Sequence, residues 1–395
     1  MTSKAFHHRG TEDTENLGDL RVSVVQKPAR RFAGIELSLI RQINALATPL
    51  CVNLGIGEPN IEPDENLRKL AVDAAANGSW HYTPNPGTLS LRKLIAGDSG
   101  FEPNEVCVTA GTEEALFSIF QAYVDPGDEV LVPNPGFLAY ATLARIAGAT
   151  AVPYDLEPPQ WRVDADALMK KITPKTKLII VNSPSNPLGS VIDDGTLLTI
   201  ANAGPLVVSD EVYSEIWYDA PPPSMLGLSD NVIVVGGMSK SHAMTGLRLG
   251  WAIAAEAVMK PIVTAHQYIA TCASAFSQSL AEAILMRPAW NRAWLENVRA
   301  QFAKQREKAL TAIARELEVD IPPPAGAFYA FVPVPACDTV TFAKTLATDA
   351  AVLVIPGVAF GSLGEGFIRI SYAAKLDDIS YGIGQIGRWL RAAGR

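Results

Sequence analysis

The chain predicts an α/β fold: a large domain on a mostly parallel sheet flanked by helices, with a smaller α+β domain beside it. Three observations carry this. Apolar, β-branched runs alternate with stretches of helical periodicity, the pattern of layered α/β proteins. Several of these runs break into polar segments rich in Gly and Pro. From Pro288 onward the composition shifts to one long charged helix, Asn291–Leu317, followed by two strand-like runs, Phe328–Val332 and Gly366–Ser371.

The elements follow in order. Met1–Asp19 is polar, carries four acids and lacks an apolar signal core, so a flexible tail is expected. Arg31–Leu46 has amphipathic spacing and reads as one helix bridging two lobes. Asn53–Pro59 is a Gly-rich turn at the entry to the core. Glu105–Ala110 and Glu129–Pro133 read as strands, with Thr112–Val124 as the helix between them. Three further apolar runs, Lys177–Val181, Pro205–Ser209 and Val232–Val235, each end in polar residues. In a parallel sheet such ends gather at one edge, where open α/β folds bind ligands. Asn186, Asp210, Tyr213 and Lys240 are therefore expected to converge.

Bulk properties set limits. The 395 residues are 48% hydrophobic and 19% charged, which suits two or three domains with a large core. A net charge of −8 argues against general affinity for nucleic acid or anionic membrane. No apolar run approaches membrane-spanning length. Cys51, Cys107, Cys272 and Cys337 show no paired spacing. They read as buried thiols in a reducing, cytoplasmic setting, and as neither a disulfide framework nor a metal site. Neither Gly-rich nucleotide fingerprint follows a strand. The acidic N-terminus offers no room for a helix-turn-helix, which disfavours a DNA-binding regulator.

Three positions carry chemistry on their own. A lysine in the apolar setting of Lys240 loses hydration, which lowers its pKa and frees a neutral amine for attack on a carbonyl; an exposed Ser-Lys pair is the alternative. Val106–Leu116 runs strand, glycine, helix start, a seat for phosphate on backbone N–H groups or an ordinary turn. Arg369 is a lone cation in an apolar strand and needs an anion there, from a ligand or from a nearby acid.

Asn186-Pro187-x-Gly189, Asp210-x-x-Tyr213 and Ser239-Lys240-x₇-Arg248, in this order and spacing, resemble the class I/II aminotransferases of pyridoxal-phosphate fold type I. The resemblance runs from about Asn53 to Tyr372. It implies a small domain from 20–48 with 289–395 and a large cofactor domain at 49–288. It implies pyridoxal 5′-phosphate held by Lys240 as a Schiff base, with its phosphate on Gly111, Thr112, Glu113, Ser239 and Arg248. Asp210 then faces the pyridine nitrogen, so that the ring can absorb electrons. Asn186 and Tyr213 bond the phenolic oxygen, and Phe137 stacks on the ring. Arg369 takes the substrate α-carboxylate, with Asn186 and the backbone of Gly57 beside it. Tyr82 extends to the phosphate of a partner subunit, so a homodimer is implied. From the residues alone, Asp210 also suits a helix cap, Asn186 a turn, and Tyr213 and Phe137 the core.

The implied reaction moves an amino group between an L-amino acid and a 2-oxo acid with ping-pong kinetics. A pyridoxal-phosphate β-lyase is the alternative on the same scaffold. One departure stands out: Gly237 sits where many relatives carry a hydroxyl. Glu113 and Glu114 would repel a dicarboxylate if either faced the site, which leans against a dedicated aspartate enzyme.

Overall fold

In the computed structural model the described residues are 29–335 and 338–394. The tail expected at 1–19, residues 20–28 and Cys337 lie outside them. The chain divides into two compact units between Ile35 and Glu36. In the first, the described part holds a single 3-10 turn, Arg30–Phe32. The second opens with the helix Leu39–Asn44. The one helix expected over Arg31–Leu46 therefore does not form. Gly34 adopts a left-handed backbone at φ 72, which ends a helical run. Ser38 then starts a new helix by accepting the N–H of Arg41 at 3.3 Å.

In chain order the strands are β1 (Val52–Asn53), β2 (Val106–Thr109), β3 (Glu129–Asn134), β4 (Thr150–Glu157), β5 (Arg162–Val163), β6 (Thr176–Asn182) and β7 (Leu206–Asp210). There follow β8 (Val232–Gly237), β9 (Gly250–Ile253), β10 (Tyr329–Pro333), β11 (Val352–Leu353), β12 (Ile355–Pro356) and β13 (Phe367–Ser371). The main sheet has the order β2-β9-β8-β7-β6-β3-β4-β5. It is parallel from β8 through β4, and β9 and β5 run antiparallel to their neighbours. The central strands are buried on both faces, which is why they read as continuous apolar runs. Alternate residues serve opposite cores. Ile180, Val208, Ile233 and Val235 pack with Leu116 and Phe120 of the helix Thr112–Tyr123 and with Ile262 of the helix Glu256–Ala270. Ile179, Val181, Val207 and Val234 belong to the other cluster, shared with Phe302 and Phe328.

Register places the chemistry. Asn182 pairs with Asp210, and Asp210 with Val235, so β6 and β7 end level and β8 runs two residues further, to Gly237. Thr109 and Gly237 both pair with Gly250, which sets the turn after β2 beside the turn after β8. The helix Pro288–Leu317, with Pro at its first position, leads away to a second sheet of order β10-β13-β12. Arg369 lies at the centre of this sheet, opposite Phe331 and Ile355. No helix among the described residues is long and apolar enough to cross a membrane.

Candidate active site

A cavity of about 570 Å³ opens at the carboxyl ends of β6, β7 and β8, a volume typical of small-molecule sites. Gly57, Thr112, Glu113, Phe137, Asn186, Asp210, Tyr213, Ser239, Lys240, Arg248 and Arg369 all line it. Gly111 stands just behind the wall, and Tyr82 lies elsewhere on the chain, 86% exposed.

Lys240 sits on the four-residue helix Met238–Ser241 that follows β8. Its Nζ donates to the carbonyl of Gly57 at 2.6 Å. Desolvation, then the positive charges of Arg369 and Arg248, push this amine down to about 8. A neutral amine is thus accessible near physiological pH, and a nucleophile or proton carrier needs that form.

Asp210 ends β7 and is buried. Its Oδ2 accepts the hydroxyl of Tyr140 at 2.8 Å and its Oδ1 the N–H of Val212 at 3.2 Å. Burial pushes the carboxyl up to about 6, against the opposing pull of those two hydrogen bonds. A cationic partner placed beside it would relieve that penalty and hold it ionised.

Arg369 is 1% exposed. Its Nη1 donates to Asn186 Oδ1 at 2.8 Å and its Nη2 to the carbonyl of Gly55 at 2.5 Å. The guanidinium lies between the rings of Tyr329 and Phe360, at 4.4 and 4.8 Å. Among the described residues it has no carboxylate partner, and its Nε is unsatisfied. The alternative of an internal salt bridge therefore fails, and a buried guanidinium facing a cavity calls for an anionic ligand.

Gly111, at φ 88, turns the chain from β2 into the helix Thr112–Tyr123. A Cβ there would lie 2.6 Å from Arg248 Nη2, so a side chain would evict the guanidinium. The N–H groups of Thr112 and Glu113, at the start of that helix, precede its first backbone bond and can seat an anion. Arg248 donates from Nη1 to the carbonyl of Thr245 at 3.0 Å and forms no ion pair among the described residues. Glu114 braces this turn from behind. Its carboxylate accepts Ala110 N–H at 3.0 Å, Ser118 Oγ at 2.6 Å and His266 Nδ1 at 3.0 Å. A phosphate seat, a buried lysine, a carboxylate wanting a cation and an orphan arginine together fit pyridoxal phosphate and an amino acid.

Residues 49–384 match the family described as aminotransferase class I and II. The chain belongs to this family. It is 36% identical over 373 residues to a probable aspartate aminotransferase of Methanocaldococcus jannaschii, covering 90% of this chain and 98% of the relative. It is 31% identical to aromatic-amino-acid aminotransferase 2 of Thermococcus litoralis, covering 91% and 97%. It superposes on the Thermus thermophilus aspartate aminotransferase structure with maleate at a TM-score of 0.87 and 30% identity, covering 92% and 99%. The protein is a pyridoxal-phosphate-dependent aminotransferase of fold type I, and these relatives do not favour the lyase alternative.

Three readings of the sequence are sharpened in this aminotransferase, and one of them, the burial of the cysteines, is corrected. Glu114 does not face the site; its carboxylate is spent on Ala110, Ser118 and His266, and of the two neighbours Glu113 alone lines the cavity. Cys107 is buried, but Cys51 and Cys272 are partly exposed, because each lies in a loop segment outside the sheet core. At Gly237 a Cβ would lie 2.9 Å from the carbonyl of Leu249 and 3.1 Å from Thr112 Oγ1. The close pairing of β8 with β9 therefore leaves little space for any side chain at Gly237, and Thr112 Oγ1 donates to Gly236 O at 3.2 Å.

Two site residues escaped sequence reasoning. Tyr140 reaches Asp210, and the hydroxyl of Tyr329 meets that of Tyr213 at 2.8 Å while its ring supports Arg369. Tyr140 follows Phe137 by three positions on the next helix, which was the only available hint.

Proposed function

We propose that the side chains of this cavity share the work as follows, and that the enzyme acts on an L-amino acid and a 2-oxo acid in the cytoplasm as a homodimer. The observation that carries this reading is Arg369, buried and without an acid partner in the same cavity as Lys240. Bound pyridoxal phosphate supplies a carbonyl that takes up the amino group and a ring that absorbs the electron pair left at Cα. Lys240 holds that cofactor, and its amine removes the substrate Cα proton and hands it back. Depression of its pKa to about 8 keeps part of it unprotonated for that task.

Arg369 receives the α-carboxylate with bidentate geometry, and Asn186, already bonded to it, fixes its plane. Asp210 holds a proton at the ring nitrogen. Gly111, Thr112, Glu113, Ser239 and Arg248 hold the phosphate, the first three through backbone at the helix start. Tyr213 and Asn186 bond the phenolic oxygen, Phe137 covers the ring, and the backbone of Gly57 borders the substrate. Tyr82, exposed on its own chain, completes the phosphate site of a second copy. Glu113 lines the cavity and disfavours a second carboxylate beside it, so dedicated aspartate specificity is not part of this reading.

The test is Lys240→Ala. Activity and the visible absorbance of the bound cofactor should both vanish. Absorbance persisting unchanged in that variant would refute the assignment.

A further inference from the structure

The helix that carries Lys240 has four residues, Met238–Ser241. A single turn cannot sustain itself, because too few hydrogen bonds offset the ordering of its backbone. Something outside must hold Lys240 in place. At its amino end the register of β8 against β7 and β9 does so. At its carboxyl end the support comes from the helix Pro288–Leu317.

Two bonds make that support. The indole Nε1–H of Trp294 donates to the carbonyl of Ser241 at 3.1 Å, satisfying a carbonyl that the end of a helix leaves free. His242, the next residue, places Nε2 at 2.7 Å from Asn291 Oδ1. Its Nδ1 lies 2.9 Å from the hydroxyl of Ser241. Asn291 and Trp294 are three residues apart and so share one helix face. That helix is well anchored, with Trp294, Leu295, Val298 and Phe302 buried along it.

The bonding assigns the tautomer. A carboxamide oxygen only accepts, so Nε2 of His242 carries the proton and donates to Asn291. The lone pair on Nδ1 then accepts the Ser241 hydroxyl. The imidazole is 4% exposed, and burial pushes it down to about 4, so it stays neutral where enzymes work. It does not line the active-site cavity. Acid–base exchange with substrate is therefore not its task.

We propose that His242 is a positioning residue for Lys240, clamping the end of the lysine helix to the helix Pro288–Leu317 through Asn291 and Ser241. The proposal rests on the assignment of Lys240 as the cofactor-bearing amine. A ring of similar bulk without the two nitrogens fills the space but releases the clamp, so the amine moves relative to the carboxylate site at Arg369.

The test uses the holoenzyme with His242→Phe, His242→Gln and Asn291→Ala, and Lys240→Ala as control. In His242→Phe kcat should fall about tenfold with KM changed less than about twofold, since small misplacements of a reacting group cost rate more than binding. The pH midpoint of the cofactor's visible absorbance should shift by about 0.5 or more, because the surroundings of the amine change. Asn291→Ala should move both readouts in the same sense, and decides the matter if His242→Phe does not fold. His242→Gln, which can still donate to Asn291 and accept from Ser241, should restore most of both. A lower melting temperature with kcat and midpoint unmoved, or a loss that His242→Gln fails to restore, would overturn the proposal. If Lys240→Ala keeps its absorbance, the underlying assignment fails instead, and the two failures are distinct.

Discussion

Asp210 shows how a buried carboxylate works against the stability of the chain that carries it. Burial raises its carboxyl from the ordinary 3.8 to about 6. Between those values the folded protein binds more protons than the unfolded chain, so this group makes stability fall as pH rises. Its penalty is absent below about pH 4 and complete above about pH 6. Asp210→Asn should therefore stabilise the cofactor-free protein at pH 7 by roughly 2–3 kcal/mol relative to its effect at pH 4. Urea denaturation of both proteins at the two pH values checks this, and an equal effect at both would contradict the assigned environment. The same variant should lose activity, because an amide does not hold a proton at the ring nitrogen as a carboxylate does. Tyr140 shares in this balance: its hydroxyl satisfies Oδ2 while leaving the charge to be met by something else.

At the scale of elements, the tight pairing of β8 with β9 decides what the turn after β8 can contain. Gly237 and Gly250 face each other across the ladder. Their bare backbones let the carbonyl of Leu249 and the hydroxyl of Thr112 close in. The backbone of Gly237 is extended, with φ 174, so conformation does not demand glycine there; the lack of space does. Gly237→Ser should cost about 1–3 kcal/mol through overpacking without tightening cofactor binding. Thermal unfolding and cofactor titration together check it, and a variant that binds the cofactor more tightly at unchanged stability would show that the hydroxyl has room. The helix after β2 is treated differently, with support from behind. Glu114, half of a pair with the fully buried His266, holds Ala110 while the residues that follow turn toward the cavity.

For the molecule as a whole, the question is what completes the site. Trp80, Tyr82 and Tyr268 are 84%, 86% and 83% exposed. Asn85 donates to the carbonyl of Thr271 at 2.7 Å, which ties the loop bearing Trp80 and Tyr82 to the end of the helix bearing Tyr268. Exposed large aromatic side chains commonly mark interaction sites, and a dimer formed through these segments is the expected assembly. Sedimentation should find a dimer, and Trp80→Asp with Tyr268→Asp should yield monomers with almost no activity. A fully active monomer would remove Tyr82 from the site. Much of this architecture was legible beforehand. Buried parallel strands announce themselves as β-branched runs, and the polar residues after them mark one sheet edge, so Asn186, Asp210, Tyr213 and Lys240 could be expected to meet. The helix over Arg31–Leu46 misled because its spacing is amphipathic, while Gly34 and Ser38 break it locally. The sequence by itself determined the residue types at each strand end, their order and their spacing, because these are covalent properties of the chain. The tertiary structure alone decided which groups meet, since Asn186 and Arg369 are 183 positions apart and bond only when two sheets come together. The same holds for Glu113 and Glu114: they are neighbours in the chain, but the helix sends one to the cavity and the other to His266.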